Sequence, residues 1–406
     1  MTGLLPHDEA VRERVRSELE TSFVISAGAG TGKTTLLVDR MVAIVLRGFL
    51  KLDQIAAVTF TENAATTLKL RLRDALERAR AEAKDPEVVA RASEGLASIE
   101  RAQVSTIHAL CTAMLQERPI EAGVTPGFRV ADEALSDFIF EEAWEEWLQD
   151  RLTGADDLLE AVILSRIPLE RTSPMGDPMT LRKLARRLVS QRDLAPHIAS
   201  AAIDPKPVRD WFMAKIARAH ELIQGKPEAD TLVAAVKALQ AEIAKTAGLD
   251  DPDLILALRS LRVKKGLGNK RMWKADEAFD ECRAITLEIA ERGAAWEKEK
   301  NASFYSGLVV ALQGVQSIYE RRKNEAGVLD YVDLLVKAAE ALRHNASLRS
   351  YFRRKFRAII VDEYQDTDPL QVEIIETLAG FSGGAVEDPK LGAASYVVVG
   401  DPKQSI

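Results

Sequence analysis

Phe23-Val24-Ile25-Ser26-Ala27-Gly28-Ala29-Gly30-Thr31-Gly32-Lys33-Thr34-Thr35 decides how the rest of the chain reads. A short β-branched run ends in a glycine-rich turn, and the turn opens into the helical pattern Thr34 to Leu46. That is the strand–loop–helix context of a phosphate-binding loop. Gly28, Gly30 and Gly32 suit positive φ and let backbone N–H groups turn inward around an anion. The helix that begins at Lys33 adds the positive end of its dipole. Lys33 suits the β- and γ-phosphates of a nucleoside triphosphate, and the Thr34 hydroxyl suits Mg²⁺. Nucleotide contacts are therefore expected along Ala27, Gly28, Ala29, Gly30, Thr31, Gly32, Lys33, Thr34 and Thr35. The strict pattern carries glycine where this chain has Ala27, a position that still holds a small residue. The bland reading is a glycine-rich turn capping an ordinary helix; the strand, lysine and threonine in register argue against it. A dinucleotide-binding turn would show G-x-G-x-x-G without a lysine aimed at the phosphates.

Working outward, the first part alternates strand and helix. Ile55–Phe60 is an apolar strand run before a long helix, and Gln103–Thr106 is another strand leading into an apolar helix. From about Arg118 to Ala326 successive amphipathic helices replace the strands, apart from Phe128-Arg129-Val130. Strands return at Arg357–Val361 and Tyr396–Val399. The expected class is α/β: one parallel-sheet domain interrupted by a large all-helical insertion. Its expected boundaries are 1–117 and 327–406 for the sheet domain and 118–326 for the insertion.

Composition bounds the remaining classes. At 406 residues the chain is long enough for two or three domains. A net charge of −7 excludes a uniformly basic coat but leaves room for a local basic groove. Cys111 and Cys282 are far apart and fit no metal spacing, which suits a reducing compartment. The charged N-terminus is not a signal peptide, and no apolar run is long enough to span a bilayer, so a cytoplasmic protein without membrane partners is expected.

Asp362-Glu363 follows the apolar strand at Val361. Adjacent acids at a strand's C-terminal end serve an NTPase opposite its phosphate loop, Asp362 at Mg²⁺ and Glu363 as the general base that activates water. Within the helical stretch, Arg262 to Lys274 carries six basic residues, no acids, and Trp273. It reads either as a single-strand contact with a stacking indole or as a solvated loop with Trp273 in the core.

The segments AGAGTGKTT, TFTENAA, STIHALC, DEYQDTD and GDPKQSI occur in this order. Together they resemble the UvrD/Rep branch of superfamily-1 DNA helicases, and more closely its RecB/AddA-type members. The resemblance implies a RecA-like P-loop motor domain that uses ATP and Mg²⁺ on single-stranded or duplex DNA. It also implies 3′-to-5′ movement, a role in repair and recombination, and a possible partner subunit in a helicase–nuclease complex. It places Thr59, Phe60, Thr61, Asn63, Thr106 and His108 along the DNA. It makes Lys33, Glu363 and Gln404 the catalytic set, with Gln404 sensing the γ-phosphate and Asp401 in the metal's water shell. Phe60 also reads as a core strand residue, and His108 as a helix-capping histidine. Leu329–Leu335 matches a helix of the family that reads as structural. The glutamine the family often uses to read adenine is absent near Pro6-His7-Asp8, with Asp8 the nearest polar residue. The chain stops at Ile406 inside a motif, so the expectation is the N-terminal half of a two-domain motor. Such a half alone would show almost no DNA-stimulated ATPase activity. The competing readings are a P-loop ATPase that does not act on DNA, which lacks its LSGGQ-like signature here, and a non-catalytic nucleotide- and DNA-binding fragment.

Overall fold

A computed structural model describes residues 9–28, 30–154, 159, 162–163, 167–169, 179–192, 203–258, 261, 263–264, 266–274, 277–382, 385–386, 394–401 and 403. Asp8, Ala29, Arg262 and Gln404, all singled out above, lie outside these residues, as does Lys265 of the basic stretch. The chain divides into two compact units, Met1–Ile139 with Glu320–Ile406, and Phe140–Tyr319.

The first unit is mixed α/β. Its chain runs α1 (Glu9–Ser17), β1 (Phe23–Ser26), α2 (Lys33–Leu46), β2 (Ile55–Thr59), α3 (Glu62–Glu82), α4 (Pro86–Ser98), β3 (Gln103–Thr106), α5 (Ile107–Glu117) and β4 (Arg129–Val130). Helix α6 (Glu133–Thr153) then leads into the second unit, through α7 (Leu181–Ser190), α8 (Lys206–Leu222), α9 (Thr231–Ala244) and α10 (Asp251–Ala257). The long α11 (Glu277–Ala326) carries the chain back. It is followed by β5 (Val328–Leu329), α12 (Tyr331–His344), α13 (Ala346–Lys355), β6 (Ala358–Val361), α14 (Pro369–Ala379), the hairpin β7 (Phe381–Ser382) and β8 (Ala385–Val386), and β9 (Ser395–Gly400).

Five strands form one parallel sheet in the order β1-β9-β6-β2-β3. Side chains alternate across a strand, so a run apolar at every position serves two cores at once. Ala56 and Val58 of β2, Ile359 and Val361 of β6, and Tyr396 and Val398 of β9 face α5, α12, α13 and α14. Their neighbours Ile55, Ala57, Ala358, Ile360, Val397 and Val399 face α2 and α3. The edge strand β1 contributes Phe23 and Ile25 to the second cluster and leaves Val24 exposed.

Residues 118–139 pack with the sheet unit rather than with the helical stretch that the sequence assigns them to. Val124 and Phe128 join the core around α5 and α12, and β4 pairs with β5 through Arg129↔Val328 and Val130↔Leu329. The Phe140–Tyr319 unit has its own core, built on Phe212, Trp273, Phe279 and Trp296. Trp273 is buried edge-on against Phe279, with the Lys226 ammonium over its ring. Of the two readings of this basic stretch, the indole follows the core one, while Lys264, Arg271 and Lys274 stay exposed.

Candidate functional site

Parallel register gathers the motifs. Ser26 lies beside Gly400, Val361 beside both Val398 and Val58, and Thr59 beside Thr106. Every strand therefore hands its C-terminal loop to the same edge of the sheet, where open α/β sheets hold their ligands.

At that edge the loop after β1 turns through Gly30 and Gly32 at φ of 73° and 85°, which an L side chain resists. Gly28, expected to share this conformation, does not; its carbonyl accepts the Thr31 hydroxyl at 2.8 Å. No side chain caps α2, whose N-cap is Gly32, so its leading N–H groups are left for an anion. By contrast Thr61, Asp85, Thr106, Asp330 and Asp368 cap the helices that follow them.

Lys33 is buried, and its Nζ lies 2.9 Å from Glu363 Oε2. The Thr34 hydroxyl donates to Asp362 Oδ2 at 3.3 Å. Burial pushes the Asp362 carboxyl up, with the Glu363 charge adding to it, against the Glu363 N–H, Thr34 and Lys33. Burial also pushes Glu363 up, but hydrogen bonds from Gln365 and Lys33 outweigh it and leave this carboxyl below the usual range. Glu363 sits at φ 54°, a left-handed conformation unusual for glutamate, of the kind that collects at functional sites.

Among the described residues no group of three or more His, Cys, Asp or Glu side chains can cage a metal. Mg²⁺ at a phosphate site needs no cage, because it keeps several waters and takes one or two protein oxygens besides the phosphates. Thr34 and Asp362 could supply such a pair, and Lys33 with the open start of α2 could face the anion.

The expected DNA segments divide. The Thr59 hydroxyl is buried and donates to the Thr61 carbonyl, Thr61 caps α3, and Thr106 caps α5 while donating to Glu62 Oε1 at 2.8 Å. All three hydroxyls are thus engaged within the protein. Asn63 and Phe60 are exposed; Phe60 stands just past β2 with 55% of its surface open, so the core reading of this ring fails. His108 is half-buried and its imidazole pKa is lowered by burial, against the charges of Asp368 and Glu62. It is therefore neutral at physiological pH.

Three residues at this edge went unread in the sequence. The guanidinium of Arg12 reaches the Thr31 carbonyl at 2.7 Å. Tyr331, at the start of a helix read as structural, is exposed and meets the His108 ring edge-on at 5.6 Å. Gln365 hydrogen-bonds both Glu363 and the backbone at Asp401. Gln365 and Tyr331 each had a sequence signal, inside DEYQDTD and inside Leu329–Leu335, the latter read as structural; Arg12 had none.

The pattern that defines the UvrD/REP helicase N-terminal domain matches residues 8–406. The chain is similar to an ATP-dependent helicase/nuclease subunit of Syntrophomonas wolfei, at 26% identity over 99% of this chain and 34% of that protein. It is similar to the protein of the same name from Latilactobacillus sakei, at 26% over 95% and 47% of the two lengths, and from Bacillus pumilus, at 24% over 95% and 34%. The chain thus spans between a third and a half of the length of these relatives. Since the family pattern runs across the sheet unit and the helical unit alike, the chain belongs to the UvrD/REP helicase N-terminal domain family.

Proposed function

We propose that this chain is the first motor domain of an ATP-dependent DNA helicase that acts in repair and recombination. The observation that carries the reading is the shared sheet edge, where Lys33, Thr34, Asp362 and Glu363 stand within one hydrogen-bonded group. The sheet unit is RecA-like in this reading, and Phe140–Tyr319 is its helical insertion. Lys33 and the α2 N–H groups bind the ATP phosphates, while Thr34 and Asp362 hold Mg²⁺. When bound, Mg²⁺ offsets charge on the β- and γ-phosphates. Glu363 orients and deprotonates the attacking water, and Gln404 reports the γ-phosphate. Single-stranded DNA runs over the exposed Phe60 and Asn63 and past His108. The whole protein moves 3′ to 5′ in the cytoplasm, beside a partner of the helicase–nuclease kind that its relatives' names describe.

Nucleotide titration and ATP hydrolysis with single-stranded DNA test this reading. Lys33→Ala removes one charged hydrogen-bond partner, worth roughly 1.5–3 kcal/mol or about ten- to hundredfold in affinity. Glu363→Gln keeps nucleotide binding and abolishes hydrolysis. Equal titration curves for wild type and Lys33→Ala would sink the assignment.

A further inference from the structure

Gln365 follows the acidic pair in a short turn, Tyr364–Asp366, lying against the end of β9. Its amide has two prongs with opposite duties. Nε2 donates to Glu363 Oε2 at 2.8 Å, with Asp366 Oδ2 at 3.3 Å as a second acceptor. Oε1 accepts the Asp401 N–H at 2.9 Å. Neither an acid nor a hydroxyl can do both, since a carboxylate does not donate and a hydroxyl is too short. The fit is tight from the other side as well. A Cβ placed on Gly400 would stand 2.7 Å from Gln365 Oε1 and 3.2 Å from the Gln365 backbone nitrogen. Gly400 is where it is because this amide lies across it.

We propose that Gln365 is a positioning residue through which the segment beginning at Gly400-Asp401 sets the Glu363 carboxylate. The proposal rests on the reading of Glu363 as general base. The carboxylate has two anchors, Lys33 and Gln365. Phosphate binding draws Lys33 away, which leaves Gln365 as the anchor that persists through the reaction. Movement at Asp401 is then passed to the base through one amide, with no change in how the phosphates are held.

The test is steady-state ATP hydrolysis by the full-length protein at saturating single-stranded DNA, with nucleotide titration alongside. Gln365→Glu keeps shape and the acceptor for Asp401 N–H, but replaces the donor to Glu363 with a repelling carboxylate. Gln365→Met keeps volume and removes both prongs. Each is expected to lower kcat about ten- to hundredfold, as misplacement of a reacting group does, with KM and nucleotide affinity within about twofold. Gly400→Ala pushes on the same amide from the β9 side and should lower kcat alone, yet add little in the Gln365→Met background. Wild-type kcat in Gln365→Glu overturns the proposal, as does full additivity of Gly400→Ala with Gln365→Met. A Glu363→Gln variant that still hydrolyses ATP overturns the underlying reading instead, and the two failures are distinguishable.

Discussion

At the scale of single residues the site is built from charges that hold one another in reserve. Lys33 and Glu363 neutralise each other across 2.9 Å, and in the proposed reading an incoming triphosphate would compete with that pair. Glu363 is more than a third exposed, so the pair is worth only a screened fraction of its Coulomb energy, about 0.2–1 kcal/mol. Glu363→Gln should therefore tighten ATP binding about two- to fivefold at low salt, and isothermal titration against wild type checks it. Weaker binding would mean the carboxylate supports the phosphates rather than competing with them. His108 gives a second expectation. Burial lowers its pKa while the unfolded chain keeps the ordinary value near 6.5. Below that value the unfolded state binds the extra proton, so this residue's contribution to stability is complete above about pH 6.5. It is lost as pH falls toward the lowered folded value. A histidine ring titration by NMR should place its midpoint below 6.5; a midpoint above would show Glu62 and Asp368 dominating.

At the scale of elements, one buried cation ties the N-terminal helix to the sheet. Arg40 on α2 is fully buried and donates to the carbonyls of Val15, Leu19 and Thr21 and to the Ser395 hydroxyl. Burial pulls its pKa down to about 10, still charged at neutral pH. These contacts fix the path from α1, which carries Arg12 toward the Thr31 carbonyl in the loop after β1, into β1 and against the start of β9. Arg40→Ala leaves several buried acceptors unpaired at about 1–3 kcal/mol each, so a loss of about 3 kcal/mol or more is expected from urea unfolding. A loss under about 1 kcal/mol would show that water replaces the guanidinium.

At the scale of the whole molecule, two separate cores predict two separable stabilities. Phe212→Ala, in the core of the Phe140–Tyr319 unit, should cost that unit about 3–5 kcal/mol. Mg-ATP should protect amides around α2 and β6 in hydrogen exchange and leave α8 and α9 unchanged, because ligand binding stabilises only what it binds. Protection spreading evenly through α8 and α9 would mean that the units unfold as one. Among the described residues no helix is long and apolar enough to cross a membrane.

Sequence alone determined the local chemistry. Glycines before Lys33-Thr34, an acid pair after an apolar strand, and strand runs apolar at every position each have a short-range cause in backbone freedom, charge or two-sided burial. Tertiary structure decided what the long-range pairings decide. The acid pair was expected opposite the loop that carries Lys33, but the order β1-β9-β6-β2-β3 decides that Lys33 meets the Glu363 carboxylate itself, across 330 positions. Phe60 reads as strand from its neighbours, yet β2 stops one residue short and turns the ring outward. The Trp273 indole sits in a basic stretch and folds inward because the Phe279 ring lies beside it. Thr59, Thr61 and Thr106 carry the hydroxyls that a phosphate contact needs, but helix starts and buried backbone claim them first. Residue type sets what a side chain can do; which partner reaches it first is settled only when the chain has folded.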